Sequence, residues 1–144
     1  MKTAKPRLEY SFFCFGHENI LATHVKTLEF TKDDFLSDRG DCIVGIRATF
    51  ELEKLKEFKN KVKFILSLQD PISNNLLKSE HKCIVNKDFN SNHELILRKS
   101  FFNSERTFGF RLNRGANRVD RRIVELMKNP ECKMNVRVIE GWYE

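Results

Sequence analysis

The chain has 144 residues, which is room for a single domain, 1–144, that opens with a short basic arm, 1–7. Its composition of 40% hydrophobic and 32% charged residues argues against a disordered chain, and no apolar run approaches the roughly 18 residues that a membrane span needs, so we expect no membrane partner. The net charge of +6 permits an anionic partner, although Lys and Glu are spread along most of the chain.

The cysteines predict a reducing environment. They stand at positions 14, 42, 83 and 132 and form no Cys-x-x-Cys pair. The opening segment Leu8–Phe15 contains Glu9 and leads to no small-residue cleavage site, so it indicates a first strand rather than a signal peptide. We therefore expect reduced thiols in a cytoplasmic protein, and we predict no cofactor.

Short segments rich in β-branched and aromatic residues dominate the chain, and their alternation predicts strands. The longest, Ile20–Thr31, would place Thr23, Val25 and Thr27 on one face. The predicted strands are Leu8–Phe15, Ile20–Thr31, Asp41–Ala48, Val62–Leu68, Lys78–Val85, Glu94–Ser100, Arg106–Leu112 and Lys133–Glu140.

Two segments have helical periodicity. Glu51–Lys59 predicts a short helix, and Ala116–Lys128 a longer one that ends before Pro130. Because the strands do not alternate with helices, a central parallel sheet is not expected. The predicted fold class is mainly β: an antiparallel β-sandwich or partly open barrel with two short helices packed on it.

The order of polar residues around these strands resembles one family. The stretches that carry the resemblance are Gly16–Asn19, Ala22–His24, Thr27–Glu29 and Asp38–Ile43, followed by Arg98–Ser100 with Phe102, Arg106-Thr107 and Asp120-Arg121. They resemble the archaeal family of unknown function DUF371 over nearly the whole chain. The chain departs from the family pattern at Asn113-Arg114, where an acid followed by Lys is expected. The resemblance implies an archaeal, cytosolic, mainly β protein and implies no activity.

Polar residues interrupt the apolar pattern of the first half. Imidazoles titrate near neutrality, carboxylates orient them, and guanidinium groups hold oxyanions. A straight strand of about 12 residues would separate the two loops that carry these groups by roughly 40 Å, which limits a single shared site. The candidates are His17, Asn19, His24, Glu29, Asp38, Arg39 and Asp41.

A second group flanks the turn 101–105. Arg98 and Ser100 share a strand face, and Arg106 follows the turn. These residues could meet either loop of the first half, and the sequence leaves that choice open.

Structural explanations compete with the functional ones. His17 and His24 lack a convincingly spaced third ligand, so no metal site is predicted. Cys42 shares the phase of a buried strand face, which argues against a nucleophile. Two further pairs have a simple structural explanation as ion pairs, Arg39 with Asp41 and Asp120 with Arg121.

The last predicted helix is basic. Arg114, Arg118 and Arg122 recur at i, i+4 and i+8 and would form one stripe that could follow the phosphates of a nucleic acid. A solvated helix face explains the same pattern. Phe101, Phe102 and Phe108 could stack on bases beside it, or most of them could belong to the core.

Three classes of function follow. The first is a binding module for an anionic small molecule or RNA. In it, Arg39, Arg98 and Arg106, beside Ser100, hold the anion, while His17, Asn19 and Asp41 orient it. The second is a hydrolase-like enzyme with His17 or His24 as general base, supported by Asp38 or Asp41. The third is a structural subunit that docks through exposed sheet edges.

Overall fold

The structure is a computed structural model that describes residues 7–37 and 41–141. Over these ranges the chain forms eight strands, two short α-helices and one 3-10 turn. The strands are β1 (Glu9–Phe15), β2 (Thr27–Thr31), β3 (Ile43–Gly45), β4 (Lys61–Gln69), β5 (Leu76–Val85), β6 (Glu94–Arg98), β7 (Thr107–Phe110) and β8 (Lys133–Glu140); the helices are α1 (Leu52–Leu55) and α2 (Arg121–Leu126), and the 3-10 turn is Ala116–Arg118.

All eight strands belong to one sheet, in the order β1-β8-β4-β5-β7-β6-β2-β3. Most neighbours are antiparallel, but β2 pairs with β3 and β6 with β7 in parallel, because the loops between them return the chain to the same end of the sheet. The mainly β class with two short helices is confirmed, and the pairing is mixed rather than antiparallel throughout. The sheet is not closed into a barrel, although a bridge between Phe15 and Ile46 joins the end of β1 to the residue after β3.

A chain of phenylalanine rings fills the core. Phe12 packs edge-on against Phe30, Phe30 stacks on Phe64, and Phe64 meets Phe108, with neighbouring ring centroids 5.5–6.2 Å apart. All four are buried, since they lie on the inward face of their strands. The core therefore runs across the sheet from β1 to β7.

The long strand predicted over Ile20–Thr31 is wrong in its first half, and only β2 is extended. Ala22 has φ 49°, a left-handed conformation that breaks the pleat. Side chains from the C-terminal part of the chain satisfy the loop carbonyls: Lys128 Nζ donates to Ile20 O and Arg121 to Ala22 O, both at 3.0 Å. Long-range hydrogen bonds thus override the local strand propensity.

The helix predicted over Ala116–Lys128 is two separate pieces. Val119 is extended with ψ 137°, and Asp120 begins α2 by accepting the N–H of Arg122 at 2.9 Å. An Asp side chain that caps a new helix competes with continuation of the preceding turn.

All four cysteines are free, and Cys14 and Cys83 are buried. Burial raises the pKa of both thiols, so neither is ionised at neutral pH. These two cysteines are core residues.

Candidate functional site: a cationic groove beside strand β5

An open groove runs along one edge of β5. β4 pairs with the whole length of β5 on one side, whereas β7 pairs only with Ile84 and Val85 on the other. The edge of residues 76–81 therefore faces the segment 113–120, which crosses the gap. The groove between them has a volume of about 570 Å³.

Backbone and side-chain hydrogen bonds fix the far wall of the groove. Asn113 bonds Lys82 twice: its N–H donates to Lys82 O at 3.0 Å, and its Oδ1 accepts the Lys82 N–H at 2.8 Å. Gly115 packs directly against the backbone of Val25, so that a Cβ there would lie 2.2 Å from Val25 O. The wall is tied both to β5 and to the 20–26 loop.

His81 holds the wall from the buried side of β5. Its Nδ1 lies 2.7 Å from Arg114 O and its Nε2 lies 2.9 Å from Ser79 Oγ. A carbonyl oxygen only accepts, so Nδ1 carries the proton and Nε2 accepts from the serine hydroxyl. Burial lowers the pKa of His81 to about 4, which keeps the ring neutral and this orientation intact at neutral pH.

Cations dominate the lining of the groove. Two carboxylates are also present, but each is engaged by a cation outside it: Glu80 lies 3.9 Å from Lys63, and Asp120 lies 3.2 Å from Arg122. No described carboxylate forms an ion pair with the four cations of the lining. The groove residues are Lys78, Ser79, Glu80, Lys82, Asn113, Arg114, Arg118 and Asp120.

Backbone amides add donors at the same edge. The N–H of Lys82 points away from β4, toward Asn113. Amide directions repeat every two residues in a strand, so the N–H groups of Lys78 and Glu80 point toward the groove as well. An anion seated there would meet both cationic side chains and amide donors.

The predicted arginine stripe is only partly assembled. Arg114 and Arg118 both line the groove. Arg122 does not, because the break before α2 turns it away and its guanidinium bonds Asp120. The ion pair predicted between Asp120 and Arg121 is replaced by this one, while Arg121 donates to backbone carbonyls, including Ala116 O at 2.8 Å.

Sequence reasoning missed half of the groove. The sequence places Lys78 and Lys82 only on a predicted strand, and it marks Asn113 only as a departure from the family pattern. His81 stands in phase with the buried Leu77 and Cys83, which was the available signal for a buried, hydrogen-bonded histidine.

A second polar cluster lies on the outward face of β2 and β6. Glu29 is only 7% exposed and lies beside Glu94, whose Oε1 accepts from Arg106 at 2.8 Å. The thiol of Cys42 lies 3.5 Å from Glu29 Oε1. Two carboxyl groups, a thiol and a guanidinium thus meet across four segments of chain.

The pKa values of Glu29 and Cys42 in this cluster are both raised. Burial, and then the hydrogen bond and the charge of Glu94, raise the pKa of Glu29 to about 7. Burial and the Glu29 carboxylate raise the pKa of Cys42 to about 11, so this thiol is not an activated nucleophile. The pair of carboxyls holds a proton at slightly acidic pH.

The two candidate histidines have different surroundings. His17 packs against the Phe35 ring, and nearby Asn19 donates to Leu36 O at 2.8 Å. His24 and Asp41 instead line one shallow recess of about 430 Å³. The bend at Ala22 allows this, because the N–H groups of residues 23 and 24 both donate to Asp41 O.

Both histidine rings accept a backbone hydrogen bond at Nδ1. The donor is Asn19 N at 3.0 Å for His17 and Lys26 N at 3.1 Å for His24. A neutral ring that accepts at Nδ1 carries its proton on Nε2. The free ring nitrogen of each histidine is therefore a hydrogen-bond donor. A donor can hold an oxyanion, whereas it cannot accept a proton from a substrate.

The remaining predicted residues lie on the outward face of the sheet, as the Glu29 cluster does. Arg98 Nε donates to Thr107 Oγ1 at 2.8 Å, and Ser100 Oγ accepts the Phe102 N–H at 3.2 Å. Arg106 is engaged by Glu94, as described above. The predicted Asp38 and Arg39 lie outside the described residues.

Two further features of the described residues concern metal ions and membranes. Among residues 7–37 and 41–141, no group of three or more His, Cys, Asp or Glu side chains could hold a metal ion. In the same part of the chain, no helix has the length and apolarity to cross a membrane.

Comparison with known proteins gives a family match. The model of a domain of unknown function, DUF371, matches residues 12–140, which include the groove and the Glu29 cluster. An uncharacterized protein of Methanocaldococcus jannaschii is 32% identical over 127 residues, which cover 84% of this chain and 92% of the relative. The resemblance drawn from the sequence is confirmed.

Proposed function

We propose that this chain, which belongs to the DUF371 family of domains of unknown function, is a binding module for phosphate-bearing ligands. One observation carries the proposal. Four cations surround the groove beside β5, and the two carboxylates of its lining are already engaged by Lys63 and Arg122. The excess positive charge is available to an anion.

The donors of the groove are of the kinds that bind phosphate. Arg114 and Arg118 can each present a planar fork of donors, and Lys78 and Lys82 add point charges from the opposite wall. The groove volume of about 570 Å³ lies within the range of ligand pockets, roughly 300–1,000 Å³, and suits a ligand larger than a lone ion.

The hydrolase-like alternative has less support. A histidine general base needs a free lone pair, and in both His17 and His24 the accepting nitrogen is Nδ1, which a backbone amide occupies. Their Nε2 protons favour a role in holding an anion. We therefore favour the binding module over the enzyme.

Amide NMR shifts during titration with sodium pyrophosphate test the proposal, against sodium chloride at equal ionic strength. We expect saturable shifts at Lys82, Asn113 and Arg118, because these residues form the two walls. Arg118→Glu should weaken binding by about tenfold or more, since it removes one cation and adds an anion beside the ligand.

The matched control is Lys54→Glu, which makes the same charge change on the exposed surface of α1. It should change the affinity less than twofold. Shifts that scatter over the surface, or an equal loss in both variants, would show that the groove is not the binding site.

A further inference from the structure

We infer that the phosphate in the groove belongs to a single-stranded nucleic acid whose bases stack on Phe101 and Phe102. This inference rests on the proposed function and names its ligand class. It depends on three features of the two rings: their connection to the groove, their exposure, and the charge near them.

Phe101 is connected to the groove through the pairing of β5 with β7. Lys82 in the groove and Ile84 are two residues apart on β5, so they share a face at a spacing of about 7 Å. Ile84 pairs with Phe110 on β7. The ring of Phe110 lies 5.5 Å from that of Phe101. One strand pairing thus connects the groove to Phe101, and Phe102 follows Phe101 directly in the chain.

Both rings are open to solvent. Phe101 is 65% exposed and Phe102 is 61% exposed. Phe102 is backed by the Arg98 guanidinium 4.9 Å from its ring centre, and its N–H is held by Ser100. Each ring is backed by a neighbouring side chain, Phe101 by Phe110 and Phe102 by Arg98, and offers an exposed face of the kind on which bases stack.

Further cations lie near the two rings. Arg111 follows Phe110 directly and is exposed, and Lys99 precedes the turn that carries the rings. The N–H of Lys99 donates to Lys26 O, which places Lys26, a third exposed cation, beside Lys99. None of these three forms an ion pair with a described carboxylate. A backbone that passes the rings would therefore meet a positive surface.

The combination favours unpaired bases. In a duplex the faces of the bases are stacked on one another and cannot reach a protein ring, whereas a single strand exposes them. An acidic peptide would use the cations but has no need of two exposed rings. The rings are what select a single strand.

Fluorescence anisotropy with a labelled oligouridylate of about 12 nucleotides tests the inference, a length within the site sizes that single-strand-binding domains cover. The same sequence as DNA shows whether the ribose contributes. We expect log Kd to depend on log salt with a slope magnitude of about 3 from four groove contacts.

Phe101→Ala and Phe102→Ala should each weaken binding by about fivefold or more, the lower end of what base stacking contributes. Phe102→Trp should bind about as tightly as the unaltered protein, because it keeps a flat aromatic ring at this position. Phe13→Ala is the matched control, since Phe13 is a partly exposed phenylalanine on β1, three places from β5 in the sheet. It should bind as the unaltered protein does.

The outcomes separate the two proposals. If pyrophosphate shifts the groove amides but the oligonucleotide binds no tighter than pyrophosphate, the proposed function stands and the inference is wrong. An equally tight duplex of the same length, or equal displacement by oligoglutamate, would overturn the inference as well. If neither probe binds, the proposed function itself fails.

Discussion

The carboxyl pair of Glu29 and Glu94 makes the stability of this protein depend on pH, and Glu29→Gln should reveal it. The folded-state pKa of Glu29 is about 7, against 4.5 for an ordinary glutamate. Between these values the folded chain binds more protons than the unfolded one. The associated stability is therefore fully present below about pH 4.5 and is lost as the pH rises through about 7.

The size of the effect follows from the two pKa values. Relative to low pH, where Glu29 is protonated in both states, its raised pKa lowers the free energy of unfolding by about 1 kcal/mol at pH 5 and by about 3 kcal/mol at pH 8, as an upper limit for an isolated group. Glutamine keeps the shape and can donate to Glu94 as the protonated acid does. The free energy of unfolding of Glu29→Gln, relative to that of the unaltered protein, should thus be about 2 kcal/mol higher at pH 8 than at pH 5.

His81 acts in the opposite direction, so the unaltered protein hides this dependence. Its pKa is lowered from 6.5 to about 4, and its contribution is present above about pH 6.5 and is lost as the pH falls through about 4. Between about pH 4.5 and 6.5 the two contributions nearly cancel. Removing the Glu29 carboxyl should leave the rise with pH that His81 causes.

Urea unfolding at intervals between about pH 5 and pH 8 measures the difference between the two proteins. Glu131→Gln is the control, because Glu131 is exposed and its carboxylate makes no ion pair with a described residue. A constant difference between Glu29→Gln and the unaltered protein across this range would refute the reasoning, as would an equal pH dependence in the control.

Three further changes test the fold and the groove. His81→Gln should remove the loss of stability at acid pH and, because it releases Arg114 O, should weaken pyrophosphate binding severalfold. The control His93→Gln, which alters the exposed pair of His93 and Asp33, should have neither effect. Asp120→Ala should lower the free energy of unfolding by about 1 kcal/mol, because α2 loses its N-terminal cap. Thermal unfolding would show this as a fall in the midpoint of about 3 °C, and an unchanged midpoint would show that the cap does not stabilise the fold. Gly115→Ala should lower the free energy of unfolding by about 1–3 kcal/mol, because the added Cβ meets the backbone of the 20–26 loop. A variant as stable in urea as the unaltered protein would contradict that packing.

Much of the sheet could be predicted from local alternation. Lys133–Glu140 was predicted with the bounds that the structure has, and the predicted bounds of Val62–Leu68 differ from those of β4 by one residue at each end. Both strands lie inside the sheet with one face on the core, so their pattern is strict. The prediction failed at Ile20–Thr31, where donors about 100 residues away bend the chain.

The candidate site could be predicted only in fragments. Arg114 and Arg118 stood out as cations at helical spacing, but the helix that would have aligned Arg122 with them is interrupted at Asp120. Their actual partners, Lys78 and Lys82, come from a strand some 30 residues earlier and carry no local signal.

The sequence by itself determined that this is a mainly β protein with an aromatic core and a positive charge, because alternation and composition are local properties of the chain. Only the tertiary structure decided where the charge is concentrated. It left one edge of β5 open, placed the 113–120 segment across it, and paired the nearby acids with other cations. Which charges remain unpaired depends on which distant residues meet, and no local pattern encodes that.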